Sequence, residues 1–370
     1  MGERQGPVEG LALNPEFWRG KRVLVTGHTG FKGSWLSLWL QRLGAEVIGF
    51  SLPPDTDRGL YRRAGVEDAL TSVEGDLRDA DLLRAVVAEH SPEIVFHLAA
   101  QALVRHSFAH PVETYATNVL GTAHLLEAVR HAPSARAVVC VTSDKCYENR
   151  ETERPYVEDD PMGGADPYSS SKGCAELVAA AYRRSYFPPD RAAEHGVAVS
   201  TARAGNVIGG GDWAADRLVV DVVRAYLTGG FPSIRNPNAV RPWQFVLEPL
   251  AGYLTLAERS WAAPAQGARA WNFGPELADC RSVGWLVERI ARAWGTSTGW
   301  TPDRRPQPHE AQLLLLDAGL ARRELGWRPC LGLDEAVDWT VDWYRTDAAG
   351  GDVRALTLDQ IDRFQTRASA

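Results

Sequence analysis

Lysine is nearly missing from this 370-residue chain: of 40 basic residues, 36 are Arg and only four are Lys, namely Lys21, Lys32, Lys145 and Lys172. On most solvated surfaces Arg serves as well, so the scarcity carries no function by itself. It does single out the four that remain, because a buried ammonium can give up its proton and a guanidinium cannot. Cysteine is sparse too. Five residues, an odd number with no CxxC spacing, argue against a disulfide framework or a zinc site and predict reduced thiols. No uncharged apolar run reaches the roughly 18 residues that span a bilayer. The opening stretch MGERQGPVEG lacks the apolar core of a signal peptide, which predicts a cytoplasmic protein. Positive charge is in deficit, and a net charge of −7 argues against nucleic acid or anionic membrane as the main partner. What is present is an ordinary globular composition, 45% hydrophobic and 24% charged, long enough for one large domain or two.

The first half alternates short apolar runs with longer amphipathic stretches, the pattern of βαβ units around a parallel sheet. Strands are predicted at 22–26, 46–50, 70–74, 94–99, 137–142 and 197–203. Helices are predicted at 31–43, 79–90, 117–130 and 167–184. In the first of them Trp35, Leu36, Trp39, Leu40 and Leu43 recur at helical spacing and are expected to pack on the sheet. Beyond about residue 205 Gly and Pro cluster and helices dominate after Leu247. The expected class is α/β, a Rossmann-type doubly wound parallel sheet with a smaller, mostly helical C-terminal lobe. The divisions are an N-terminal extension over 1–18, a dinucleotide-binding domain over 19–205, and a substrate-binding lobe over 206–370, part of it returning to the sheet. The stretch 356–366 reads as a helix that packs on the body or on a partner.

Gly27-His28-Thr29-Gly30-Phe31-Lys32-Gly33 follows the first strand and opens a helix. Glycines there let the backbone approach a pyrophosphate, and the helix start offers unpaired N–H groups with partial positive charge. The second strand ends at Phe50-Ser51, without the acid that usually binds the ribose hydroxyls. Asp55 and Asp57 come later and Arg58 is near, so NAD and NADP both stay open on the residues alone. Asp76 follows the third strand, placed either for an adenine amino group or as the cap of the helix over 79–90. Lys21 is expected to be merely solvated.

Tyr168 and Lys172 stand at i and i+4, on one helix face. At an effective dielectric of ~20, a cation ~5 Å away favours a phenolate by roughly 3 kcal/mol. That is about two pKa units, enough to bring Tyr168 toward use as a base on a hydroxyl. Ser143, at the end of the preceding strand, can orient the same hydroxyl.

The Gly-rich turn, Ser143 and the Tyr168/Lys172 pair resemble the extended short-chain dehydrogenase/reductase family over most of the chain. Within that family, the stretches 141–147, 160–168, 203–213 and 235–243 look like its CDP-glucose 4,6-dehydratase branch. The resemblance implies an NAD-dependent hydro-lyase acting on CDP-glucose or a related nucleotide-sugar. Such an enzyme oxidises C4, eliminates water across C5 and C6, and returns the hydride to C6. It implies Ser143, Asp144, Lys145, Tyr168 and Lys172 as the catalytic set. As cofactor contacts it implies Gly27, Gly30, Phe31, Lys32, Gly33, Asp76, Leu77, Leu98, Ala99, Ala100 and Thr117, with Tyr168 and Lys172. On the substrate side it implies Gln101, Arg105, Asn206, Arg235 and Arg241, the two last flanking an Asn-Pro turn suited to a phosphate. Ala102 and Phe245 depart from the family's usual Pro and His. His309 and Glu310 fit the same branch without a role that physics supplies. Members commonly pair through the helices at 117–130 and 167–184, so a homodimer is expected, with a tetramer as the alternative.

The elimination needs an acid for the departing 6-hydroxyl and a base for the C5 proton. Many sugar-nucleotide dehydratases carry Asp-Glu where this chain has Asp144-Lys145. Lys145 can be the base only if burial or neighbouring cations lower its pKa from about 10.4. The alternative keeps Lys145 charged beside the enolate and leaves the proton traffic to Asp144. A 4-epimerase or reductase of the same fold, a dehydratase for another nucleotide-hexose, and a non-catalytic dinucleotide-binding regulator are the competing readings. An epimerase or reductase needs no acid–base pair after Ser143, and a regulator needs no complete Ser/Tyr/Lys set; the choice of CDP among nucleotides rests on the resemblance alone.

Overall fold

A computed structural model describes residues 13–303 and 311–369. Seven parallel strands form its main sheet: β1 (Arg22–Thr26), β2 (Glu46–Ser51), β3 (Thr71–Glu74), β4 (Ile94–His97), β5 (Ala137–Val141), β6 (Ala198–Ala204) and β7 (Ala270–Phe273). Their order is β7-β6-β5-β4-β1-β2-β3, so the direction of winding reverses between β1 and β4. β5 and β6 are buried along their whole length; β5 reads as an unbroken apolar run, whereas β6 carries Ser200, Thr201 and Arg203, whose polar groups are all hydrogen-bonded.

The principal helices, in chain order, are α1 (Phe31–Arg42), α2 (Ala80–His90), α3 (Gly121–Arg130), α4 (Pro167–Ser185), α5 (Leu218–Leu227), α6 (Leu247–Ala262), α7 (Val283–Trp294), α8 (Leu333–Ala348) and α9 (Val353–Ala368). Successive strand residues face opposite layers. Leu24, Val95 and Val138 pack under α2, α3 and α4, through Leu83, Leu125 and Ala179. Val23, Val25, Phe96 and Val139 face the layer that holds Trp35 and Trp39 of α1, Leu250 of α6 and Phe364 of α9. All five apolar residues singled out between Trp35 and Leu43 are buried.

Differences from the sequence reading have local causes. The strand expected to reach residue 99 stops at His97, because the main chain of Leu98 and Ala99 turns to donate to Thr26. The helix expected from 117 begins as a π-turn, Ala116–Leu120. Asp79, not Asp76, caps α2, accepting from the Leu82 main chain at 3.0 Å. Lys21 is not merely solvated: its ammonium pairs with Glu93 at 3.3 Å and sits 4.2 Å from the ring centre of Trp261. The C-terminal helix α9 packs on this chain's own body, with Phe364 edge-on to Trp39 at 5.7 Å between ring centres.

Candidate active site

A cleft of about 990 Å³ opens at the carboxyl ends of the strands, where the winding reverses. Its floor begins at the Gly-rich turn. Gly27 has φ +76°, and a Cβ there would stand 2.7 Å from the Ala99 nitrogen; at Gly33 it would stand 2.0 Å from the Gly27 carbonyl oxygen. No side chain caps α1 at Gly30, so the first N–H groups of the helix are left for a ligand. Phe31, Lys32, Asp76, Leu77, Leu98, Ala99, Ala100 and Thr117 all line the cleft as expected positions. A dinucleotide pyrophosphate therefore fits the turn on steric and electrostatic grounds.

His28 points the other way, its Nε2 2.8 Å from the Ser72 hydroxyl, and burial lowers its pKa to about 4. Asp76 is clasped by Arg78, which donates from its main chain at 2.8 Å and from its guanidinium, and so holds the carboxyl below its usual range. Where the second strand ends, the hydroxyls of Thr29 and Ser51 lie 2.8 Å apart. Asp55 lines the cleft, whereas Arg58 lies with its guanidinium 3.8 Å from the ring centre of Trp213.

Ser143, Asp144, Lys145, Tyr168 and Lys172 line one end of the same cleft. Asp144 and Lys145 ride on a single 3-10 turn, Asp144–Cys146, whose first residue follows Ser143. The Ser143 hydroxyl donates to Asp144 at 3.0 Å and accepts from the Lys145 main chain at 3.2 Å. Tyr168 and Lys172 come from α4, whose start is set by Pro167 and by Asp166 accepting from the Ser169 main chain at 2.9 Å.

Charge in this cluster differs from the pairwise expectation. Burial raises the Tyr168 pKa, and the pull of Arg217 and the Ser143 hydroxyl does not overcome it. The lowering expected from Lys172 alone is overturned because desolvation disfavours the phenolate more. Burial also lowers Lys172 to about 8, against the attraction of Glu176, and raises Asp144. Asp144 is almost wholly enclosed, and its Oδ2 has no partner among the described residues. Lys145 is only half buried. Lys32, half-buried like Lys145, is lowered to about 7 by desolvation, with help from Arg217 and Lys172.

The five expected substrate residues line the cleft as well. Gln101 turns its amide into its own loop, accepting from the Leu103 main chain at 2.5 Å and donating to Thr114 at 2.9 Å. Arg105 pairs with Asp216 at 3.4 Å, joining the two sides of the cleft. Arg241 is buried and donates to the carbonyl oxygens of Val240, at 2.9 Å, and Ala311, at 2.5 Å. Asn206 and Arg235 complete that wall; His309 and Glu310 lie outside the described residues. The sequence reading missed Asn118, whose amide bridges the Gln101 carbonyl and the Ser171 hydroxyl at 3.0 and 2.8 Å. It also missed Arg217, which lines the cleft just ahead of α5. Only its place before an apolar helix could have marked it.

A family profile described as GDP-mannose 4,6 dehydratase matches residues 24–259. A CDP-glucose 4,6-dehydratase from Salmonella typhimurium is 49% identical over 96% of this chain and 99% of its own length. The chain belongs to the extended short-chain dehydrogenase/reductase family. Within this family it is also similar to a UDP-glucose 4-epimerase of Mycolicibacterium smegmatis, 32% identical over 88% of this chain and 98% of that one. A crystal structure of dTDP-glucose 4,6-dehydratase from Streptomyces venezuelae, with NAD and TYD bound, is 26% identical with a TM-score of 0.74. It covers 90% of this chain and 99% of its own. Family members of both kinds, dehydratase and epimerase, thus share the fold.

Proposed function

We propose that this protein is a nucleotide-sugar 4,6-dehydratase that converts CDP-D-glucose to CDP-4-dehydro-6-deoxy-D-glucose and water. The observation that carries the reading is the turn that sets Asp144 and Lys145 beside Ser143, Tyr168 and Lys172 in one cleft. A 4-epimerase needs the last three and has no use for an acid–base pair at C5 and C6. The 49% identity to a CDP-glucose 4,6-dehydratase supports the choice of sugar and nucleotide.

NAD would lie along Gly27, Gly30, Phe31 and Gly33, with Asp76, Leu77, Leu98, Ala99, Ala100 and Thr117 beside it and Lys172 at its far end. Asp55 in the cleft and Arg58 engaged on Trp213 favour NAD over its 2′-phosphorylated form. When bound, NAD accepts the C4 hydride and later gives it to C6. Ser143 and Tyr168 hold the C4 hydroxyl, and Tyr168 takes its proton. Lys172 must stay protonated to favour that transfer. Asp144, whose hold on a proton burial strengthens, gives its proton to the 6-hydroxyl, which leaves as water. Lys145 takes the C5 proton, acidified by the new 4-keto group, and gives a proton back to C5 as the hydride reaches C6. The half-buried position of Lys145 favours a second assignment, in which it stays charged beside the enolate and Asp144 moves both protons. Arg235 and Arg241 bind the pyrophosphate of the substrate, with Asn206, Gln101 and Arg105 at the sugar and nucleotide.

A second copy of the chain is the proposed partner. Val112 and Leu177 are 80% and 60% exposed on the helical side formed by 104–130 and α4, and Phe108, Leu120 and Tyr186 are exposed there too. Among the described residues no helix is long and apolar enough to cross a membrane.

The test is to incubate the protein with CDP-glucose without reductant. A product lighter by one water, with the base-induced absorbance of a 4-keto sugar, supports the reading; an epimer of unchanged mass overturns it. For Lys145, solvent deuterium is followed in Lys145→Met. Undiminished entry at C5 rejects it as the base.

A further inference from the structure

Behind the catalytic cluster, and outside the cleft lining, Glu176 and Arg203 form an ion pair at 2.9 Å with both side chains 4% exposed. Every acceptor position of the carboxylate is used. Its Oε1 accepts from the Thr142 hydroxyl at 2.5 Å and from Arg203 Nε at 2.9 Å; its Oε2 accepts from the Thr201 hydroxyl at 2.7 Å and from Arg203 Nη2 at 2.9 Å. Arg203 then reaches onward, donating from Nη1 to the Tyr147 hydroxyl at 2.7 Å and the Glu158 carbonyl at 2.8 Å. The Tyr147 hydroxyl in turn donates to Asn272 at 2.7 Å.

A buried ion pair is weak evidence for stability, since a well-packed apolar substitute is often as good. Its geometry here has another content. Thr142 and Tyr147 are the two ends of the segment that carries Ser143, Asp144 and Lys145. Glu176 lies one helical turn beyond Lys172 on α4, in line with Tyr168 and Lys172. The pair therefore joins the element that bears the elimination groups to the element that bears the oxidation groups.

We propose that Glu176 and Arg203 are positioning residues, which clamp Thr142 and Tyr147 to α4 and so set where Asp144 and Lys145 stand relative to Tyr168 and Lys172. The proposal rests on the dehydratase reading and adds a division of labour to it. Tyr168 and Lys172 keep their place on α4 when the clamp is loosened, because Asp166 and Pro167 set that helix independently. Ser143 also keeps its place, because the Thr142 main chain beside it stays bonded to the Ala202 carbonyl at 2.9 Å; Asp144 and Lys145, farther along the turn, do not. Loosening therefore slows water elimination more than C4 oxidation, whereas a merely structural role lowers both together.

The experiment uses the full-length, NAD-loaded protein with CDP-glucose and three variants, Thr142→Val, Thr142→Ser and Tyr147→Phe, all of which spare the buried charges. Thr142→Val is expected to lose on the order of tenfold to a hundredfold in kcat, the scale of a small misplacement, with KM within about twofold. In a single turnover it accumulates the absorbance of reduced nicotinamide, as oxidation outruns elimination, and solvent deuterium enters C5 more slowly. Thr142→Ser restores both, and Tyr147→Phe moves both in the same direction as Thr142→Val. The proposal is overturned if Thr142→Val lowers the thermal midpoint and the rate without that accumulation, or if Thr142→Ser behaves like Thr142→Val. Wild-type protein that returns CDP-glucose with no loss of water sinks the dehydratase reading itself, an outcome seen before any variant is compared.

Discussion

The Lys32 ammonium, in the wall of the cleft, stands 3.4 Å from the Tyr253 hydroxyl, so the first turn of α1 is joined to the middle of α6. Nothing in the pair is charged to match it, and burial sets the lysine to about 7. The folded value lies below the unfolded one of 10.5. Between the two, the unfolded chain holds a proton that the folded chain has released, so stability rises with pH across that window.

Replacing that lysine should therefore stabilise the ligand-free protein. Lys32→Met is expected to raise the thermal midpoint most at pH 6, where the buried ammonium is fully charged, and hardly at all above pH about 10. Melting curves across pH check this. A gain that is equal at all pH values would contradict the lowered value.

Asp144 should give the pH–rate profile its alkaline limb in the elimination step, because the protonated acid is lost as pH rises past its raised value. Asp144→Asn is expected to slow dehydration by roughly 10²–10⁴-fold, the usual contribution of a positioned general acid. C4 oxidation should survive, seen as reduced nicotinamide that forms without 4-keto-6-deoxy product.

Arg105→Ala removes the bridge to Asp216 across the cleft. Both side chains are partly exposed, so the pair should contribute about 1 kcal/mol or less to stability. The expected effect is on substrate instead: a severalfold higher KM for CDP-glucose, a small change in kcat, and a weaker dependence of KM on salt. Steady-state kinetics at two ionic strengths decide it.

Glu258 holds the short helix Pro15–Trp18, accepting from the Trp18 indole at 2.6 Å and the Asn14 main chain at 3.1 Å. Burial raises its carboxyl from 4.5 to about 7, so stability falls as pH rises between those values. Glu258→Gln can still accept both hydrogen bonds. It should raise the thermal midpoint at pH 8 and leave it unchanged near pH 4.

Much of this was legible in the residues. β1, β2, β4 and β5 were visible as short apolar runs buried along most of their length, β3 and β6 by their place in the βαβ alternation, and the Gly-rich turn and the Tyr168/Lys172 pair because their spacing is local. Residues brought in from afar were not. Asn118, Arg217 and Tyr253 carry no motif, and although a return of the second half to the sheet was expected, the segment that makes it, β7, was hidden by the long excursion that holds α5 and α6. The phenol of Tyr168 shows a different limit. Two charges at a fixed dielectric predict a lowered pKa, but the burial that reverses the sign exists only once α4 has docked.

The Gly-rich turn begins a helix whose two tryptophans are covered by remote parts of the chain. Trp35 meets Phe245 and donates its indole N–H to the Gly210 carbonyl at 3.0 Å; Trp39 meets Phe364 of α9. A fragment cut at residue 205 would keep every nucleotide-binding glycine and bare both rings to water. The dinucleotide half of this protein is therefore not a transplantable module. Grafting it, or splitting the chain there, should yield an aggregating fragment rather than a nucleotide binder.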